Sequence, residues 1–212
     1  MHEPERQDAL RPTKLRRTRR VLVLVDFINT FDFPGGERLL PGALRAARAT
    51  VKLKQRLALE RVPAIYANDH YGTWHSEFSD VLRACQKLPG AAGEVATMLA
   101  PARGDLTILK PRHSAFFASP LDLLLREMGA RELIIVGLAT DMCVQLTAVE
   151  AYMHGYSAWV PSDCTAAETA RAKRQALEHM ASVLKCCVSP STSDRIRGGR
   201  TVEGRAGVHQ RC

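Results

Sequence analysis

Six short apolar runs punctuate the chain, and the stretches between them repeat their apolar positions at helical spacing. The runs at 21–26, 62–68, 106–110, 132–136, 157–160 and 183–188 are rich in Val, Ile and Leu, and each is bounded by turn-forming or charged residues. Such runs predict strands buried on both faces of a sheet. The stretches 41–60, 120–128, 141–155 and 166–182 predict helices; in the first, Leu44, Ala47, Val51, Leu53 and Leu57 fall on the buried side. Residues 71–103 read as a loop with short helical pieces, and Pro111 stops the third strand. Strands interleaved with helices in this order predict a three-layer α/β/α domain built on a six-stranded parallel sheet.

In such sheets ligands bind at the carboxyl ends of the strands. Three strand ends here carry reactive groups: Asp26 after Val-Leu-Val-Leu-Val, Lys110 after Leu-Thr-Ile-Leu, and Cys143 just beyond Leu-Ile-Ile-Val-Gly-Leu. A carboxylate or an ammonium next to a buried strand is costly unless it is exposed or paired. Asp26 could cap the turn at Asn29-Thr30, and Lys110 could snorkel to the rim. Cys143 could be a small core hydrophobe. Its position favours chemistry: Gly137 permits a turn, Thr140 is a candidate N-cap, and a thiol in a first helical turn is expected to have a lowered pKa. Three such groups at equivalent ends of one sheet point to a catalytic constellation.

Charge and cysteine content narrow the picture. The 212 residues carry a formal net charge of +8. Residues 1–20 hold seven Lys/Arg against three Asp/Glu, and 185–212 hold six against two, so the ends account for all of it. This divides the chain into a basic N-terminal arm (1–20), a catalytic body (21–189) and a basic C-terminal tail (190–212). Both ends read as solvated arms, without the aromatic interleaving of a nucleic-acid reader. Six cysteines without metal-type pairing, no apolar run of membrane-spanning length and no signal peptide suggest a reducing, cytoplasmic setting.

Val-Asp26-Phe-Ile-Asn-Thr-Phe, Lys110-Pro-Arg-His-Ser-Ala-Phe-Phe and Gly-Leu-Ala-Thr-Asp-Met-Cys143-Val, with Thr147-Ala148 behind the last, occur in the order that resembles the isochorismatase-like cysteine hydrolases. That superfamily includes nicotinamidases, N-carbamoylsarcosine amidohydrolases and ureidoacrylate or biuret hydrolases. The likeness covers roughly residues 20–190. It implies a Rossmann-like sheet of order 3-2-1-4-5-6 and a catalytic triad of Asp26, Lys110 and Cys143. It further implies a cis peptide before Ala139, with the N–H groups of Ala139 and Cys143 as oxyanion hole. The activity implied is hydrolysis of a C–N bond in a small amide, carbamoyl or ureido substrate through a thioester. A homo-oligomer, dimer or tetramer, follows from the same likeness.

Departures from the family pattern shape the remaining expectations. Asp69 and His70 are adjacent, which breaks the Asp-x-His metal element of nicotinamidases, and neither His75 nor His113 restores it; the expectation is no metal and no cofactor. Ile28 stands where many members have Gln. Phe31, Trp74, Phe116 and Phe117 are candidates for an aromatic substrate pocket, with ordinary packing an open alternative. His154 and His179 read as structural, and Cys164, at the fifth strand's end, is the serious rival to Cys143. Two other readings stay open at this point: a nicotinamidase-type hydrolase with an atypical metal site, and a catalytically idle scaffold whose basic arms bind nucleic acid.

Overall fold

The computed structural model describes residues 14–193, so most of both basic arms, and Cys212, lie outside the described residues. The order of elements is β1 (Arg20–Val25), α1 (Gly36–Leu59), β2 (Ala64–Asp69), α2 (Phe78–Gln86), α3 (Gly90–Met98), β3 (Leu106–Lys110), α4 (Leu121–Met128), β4 (Glu132–Leu138), α5 (Gln145–Met153), β5 (Ser157–Trp159), β6 (Thr165–Ala166) and α6 (Ala170–Ser182). The strands pair in parallel in the order β3-β2-β1-β4-β5, and β6 pairs with β4. Among the described residues no helix is long and apolar enough to cross a membrane.

The apolar runs explain the layering. In β1, Leu22 and Leu24 face one core with the helices α1 to α3, while Val21, Val23 and Val25 face a second core with α4 to α6. Ile134 and Val136 of β4 join the first core, and Leu133 and Ile135 the second. A strand with large aliphatics on both faces is stable only between two helical layers. The topological switch lies between β1 and β4, whose register pairs Val25 with Gly137. That contact demands glycine: a Cβ on Gly137 would lie 2.0 Å from the Val25 carbonyl oxygen, and its φ is 136°. Gly137→Ala is therefore expected to destabilise the protein by about 3 kcal/mol or more, seen as a lower urea midpoint at unchanged slope.

Three elements differ from the sequence reading. The first helix begins at Gly36, ahead of Pro41, because Gly35 turns the chain in the left-handed region (φ 97°). The strand expected at 183–188 shrinks to one bridge, Trp159 to Cys187, since Lys185 takes a positive φ of 57° that interrupts extended backbone. The sixth strand is instead Thr165–Ala166, added beside β4. Finally, Thr140 caps no helix N–H. It is buried, its hydroxyl lies 2.8 Å from that of Thr165, and residues Thr140–Val144 form a π-helical turn that enters α5.

Candidate active site

Asp26 follows β1 directly, with φ 51°. Its Oδ1 accepts the Asp69 N–H (2.8 Å), which ties it to the end of β2. The loop beyond it is held by Asn68, whose Oδ1 accepts the Ile28 N–H (3.1 Å) and whose Nδ2 donates to the Ile28 carbonyl (2.7 Å). Asp26 does not cap the turn at 29–30; Asn29 takes the Phe31 N–H itself. Lys110, at the end of edge strand β3, reaches inward instead of snorkelling and is 0% exposed. Its Nζ lies 2.8 Å from Asp26 Oδ2 and donates to the Arg112 carbonyl (3.1 Å). The remaining direction meets Cys143 Sγ at 3.8 Å.

Cys143 is half-buried on the π-helical turn. Lys110 Nζ bridges it to Asp26, whose carboxylate acts on the thiol electrostatically. The Ala139 carbonyl accepts the N–H groups of Met142 and Val144 (both 3.1 Å), and the peptide between Leu138 and Ala139 is cis. The structure thus brings Asp26, Lys110 and Cys143 together from three strand ends. On the solvent side, His113 Nδ1 stands 3.6 Å from Sγ. In the sequence His113 is only a possible metal ligand; its nearness to the sulfur depends on how the loop after Lys110 folds back over α5.

The electrostatics correct one expectation. Burial pushes the Cys143 thiol well above its ordinary range, and the Asp26 carboxylate adds to this; Lys110 only partly offsets them. A first-turn position does not lower this pKa, because desolvation outweighs the favourable backbone field. Burial likewise holds Asp26 above the usual carboxylate range despite Lys110. Burial works against the Lys110 ammonium, but the combined attraction of Asp26, Cys143 and Asp69 keeps its pKa raised. The resting arrangement is a buried Asp–Lys ion pair beside a thiol that burial keeps protonated.

The sequence and the fold have relatives. Residues 20–194 match the isochorismatase domain. The chain belongs to the isochorismatase family. Isochorismatase family protein YaaI of Bacillus subtilis is 36% identical over 165 residues, 78% of this chain and 90% of that protein. Ureidoacrylate amidohydrolase RutB of Stutzerimonas stutzeri is 30% identical over 181 residues, 73% of this chain and 72% of that one. Among solved structures, the nicotinamidase SaPncA from Staphylococcus aureus superposes with a TM-score of 0.61 at 26% identity, over 81% of this chain and 98% of that one. N-carbamoylsarcosine amidase from Thermoplasma acidophilum shares the fold, with a TM-score of 0.64 at 24% identity over 84% and 99% of the two chains. The sequence motifs pointed to this isochorismatase-family hydrolase.

The other candidates fall in different places on the isochorismatase fold. Phe31 packs into the core beside α1, and Phe116 into the opposite core, stacked on His154 (5.1 Å) and near Tyr156 (6.0 Å). Trp74 is 81% exposed and leans on His70, and Phe117 is 52% exposed. Phe31 and Phe116 thus lie in opposite cores, the latter in the core that Cys143 packs against, while Trp74 and Phe117 face solvent. Asp69 Oδ1 accepts the Tyr71 N–H and His70 Nδ1 the Gly72 N–H; among the described residues no three His, Cys, Asp or Glu side chains are placed to share a metal ion. Cys164 is fully buried with its thiol pushed up to about 12 by burial, 3.7 Å from Asp163 Oδ1. Cys164→Ser is therefore expected to keep most activity in the assay that Cys143→Ala fails.

Proposed function

We propose that the protein hydrolyses a C–N bond of a small amide, carbamoyl or ureido compound, with Cys143 as nucleophile, Asp26 as base and acid, and Lys110 as electrostatic support. The observation that carries this reading is the convergence of the three side chains, with Lys110 Nζ 2.8 Å from Asp26 Oδ2 and 3.8 Å from Cys143 Sγ. Asp26 takes the thiol proton as sulfur attacks the carbonyl carbon, forming a C–S bond and a tetrahedral oxyanion. The N–H groups of Ala139 and Cys143 are the proposed donors to that oxygen. Asp26 then returns the proton to the departing nitrogen, and the C–N bond breaks. An amide leaves a thioester on Cys143; a ureide leaves a thiocarbamate. Water, deprotonated by Asp26, attacks the acyl carbon, releases the acid and restores the thiol.

Relatives with ureidoacrylate amidohydrolase names support a ureido substrate. The test is a panel of ureides, N-carbamoyl amino acids, nicotinamide and simple amides assayed for ammonia release, with Cys143→Ala as blank. Release from a ureido or carbamoyl compound by the wild type alone is the expected result. A protein that turns over nicotinamide and no ureide, and only with added divalent metal, would contradict it.

A further inference from the structure

The triad surrounds the sulfur unevenly. Asp26 and Lys110 lie on its buried side, and Lys110 divides its three donor directions among Asp26, the Arg112 carbonyl and sulfur, with sulfur the most distant. Once the thiol proton has gone to Asp26, the thiolate keeps one long contact with a cation on that side. On its open side stands His113, Nδ1 at 3.6 Å. The backbone places His113 there firmly. Arg112, one residue before, gives its carbonyl to Lys110. Ser114, one residue after, donates from Oγ to Glu150 Oε2 of α5 (2.7 Å), and the Ala115 N–H donates to Thr147 Oγ1 (3.0 Å). That same Thr147 hydroxyl donates to the Cys143 carbonyl (2.6 Å). The loop bearing His113 and the turn bearing Cys143 are therefore pinned to each other through one hydroxyl.

We infer that His113 is a positioning residue for the nucleophile: its Nδ1–H donates to Cys143 Sγ and holds the thiolate, while Asp26 keeps the transferred proton. This rests on the reading of Cys143 as nucleophile, but its test needs no substrate. The full chain is treated with iodoacetamide, and alkylation at each cysteine is followed by peptide mass spectrometry. His113→Ala is expected to slow alkylation at Cys143 about tenfold, the scale of one hydrogen bond to a charged group. His113→Asn, whose side-chain N–H reaches the same place, is expected to restore most of that rate, which mere filling of space would not do. Equal Cys143 rates in wild type and His113→Ala, or an Asn variant as slow as the Ala variant, overturns the inference while leaving the nucleophile in place. A wild-type Cys143 no more reactive than the buried Cys85 and Cys164 overturns both the inference and the nucleophile assignment.

Discussion

Cys143→Ala is expected to remove turnover by about 10⁴-fold or more, the scale lost when a nucleophile is deleted from a site that otherwise stays intact, and to leave the melting temperature nearly unchanged. The fold loses little with the thiol. Cys143 is half-buried, its carbonyl still accepts the Thr147 hydroxyl, and the Ala139 carbonyl still accepts the Met142 and Val144 N–H groups. The proposed chemistry loses its bond-forming atom. Cys143→Ser is expected to be nearly as inactive, because a hydroxyl is far harder to deprotonate than a thiol and Asp26 is a carboxylate base. Ammonia release and thermal melting of the same preparations check both statements.

Lys110→Met carries the second large effect, and here stability and activity fall together. Lys110 is wholly buried against Asp26, so its removal leaves a buried carboxylate without its cation. Breaking a buried pair in this way costs about 3–5 kcal/mol when the remaining charge cannot escape. Asp26 can escape by taking a proton, since burial already holds its pKa above the usual range with Lys110 present. That sets the sign of the pH dependence. A carboxyl group with a folded-state pKa above its unfolded value binds protons more tightly when folded, so its contribution favours the fold at low pH and is lost as pH rises through the folded value. The penalty of Lys110→Met relative to wild type is therefore expected to be larger at pH 8 than at pH 5, measured by urea unfolding at both. Activity is expected to fall about 10³-fold at neutral pH, because the thiolate loses its cation and the protonated Asp26 can no longer act as base. A penalty that grows toward low pH would contradict this account of the pair.

Much of the fold was legible because the apolar runs are unambiguous. The alternate residues of 21–25 and 133–136 fill two cores, which only a sheet covered on both faces allows. The candidate triad was legible for the same reason: a charged residue ending such a run is unusual, and the parallel topology brings equivalent ends together. What escaped depended on side-chain partners far apart in sequence. Thr165–Ala166 is too short to show a hydrophobic period, and its place beside β4 is fixed by the Thr165 hydroxyl donating to the Gly137 carbonyl (2.8 Å). The thiol's raised pKa escaped because position in a helical turn says nothing of how much water is excluded around it. Phe116 turned into the core because Ser114 and Ala115 anchor the chain on α5 just before it, leaving Phe117 outside. Asn68 did leave a signal, an amide closing an otherwise apolar strand; its double hydrogen bond to Ile28 gives the reason. Ser191 lies within the tail expected from composition, yet it is buried, with its N–H and hydroxyl both bonded to Asp163 at 2.6 Å.

The central claim is covalent catalysis at Cys143, and its most direct test is acid quenching during turnover of an active ureido or amide compound, followed by peptide mass spectrometry. The account predicts an acyl or carbamoyl group on the Cys143 peptide of the wild type, absent before substrate is added and absent from Cys143→Ala. Turnover by Cys143→Ala at the wild-type rate, or the same adduct on Cys164 with Cys143 unmodified, would contradict it.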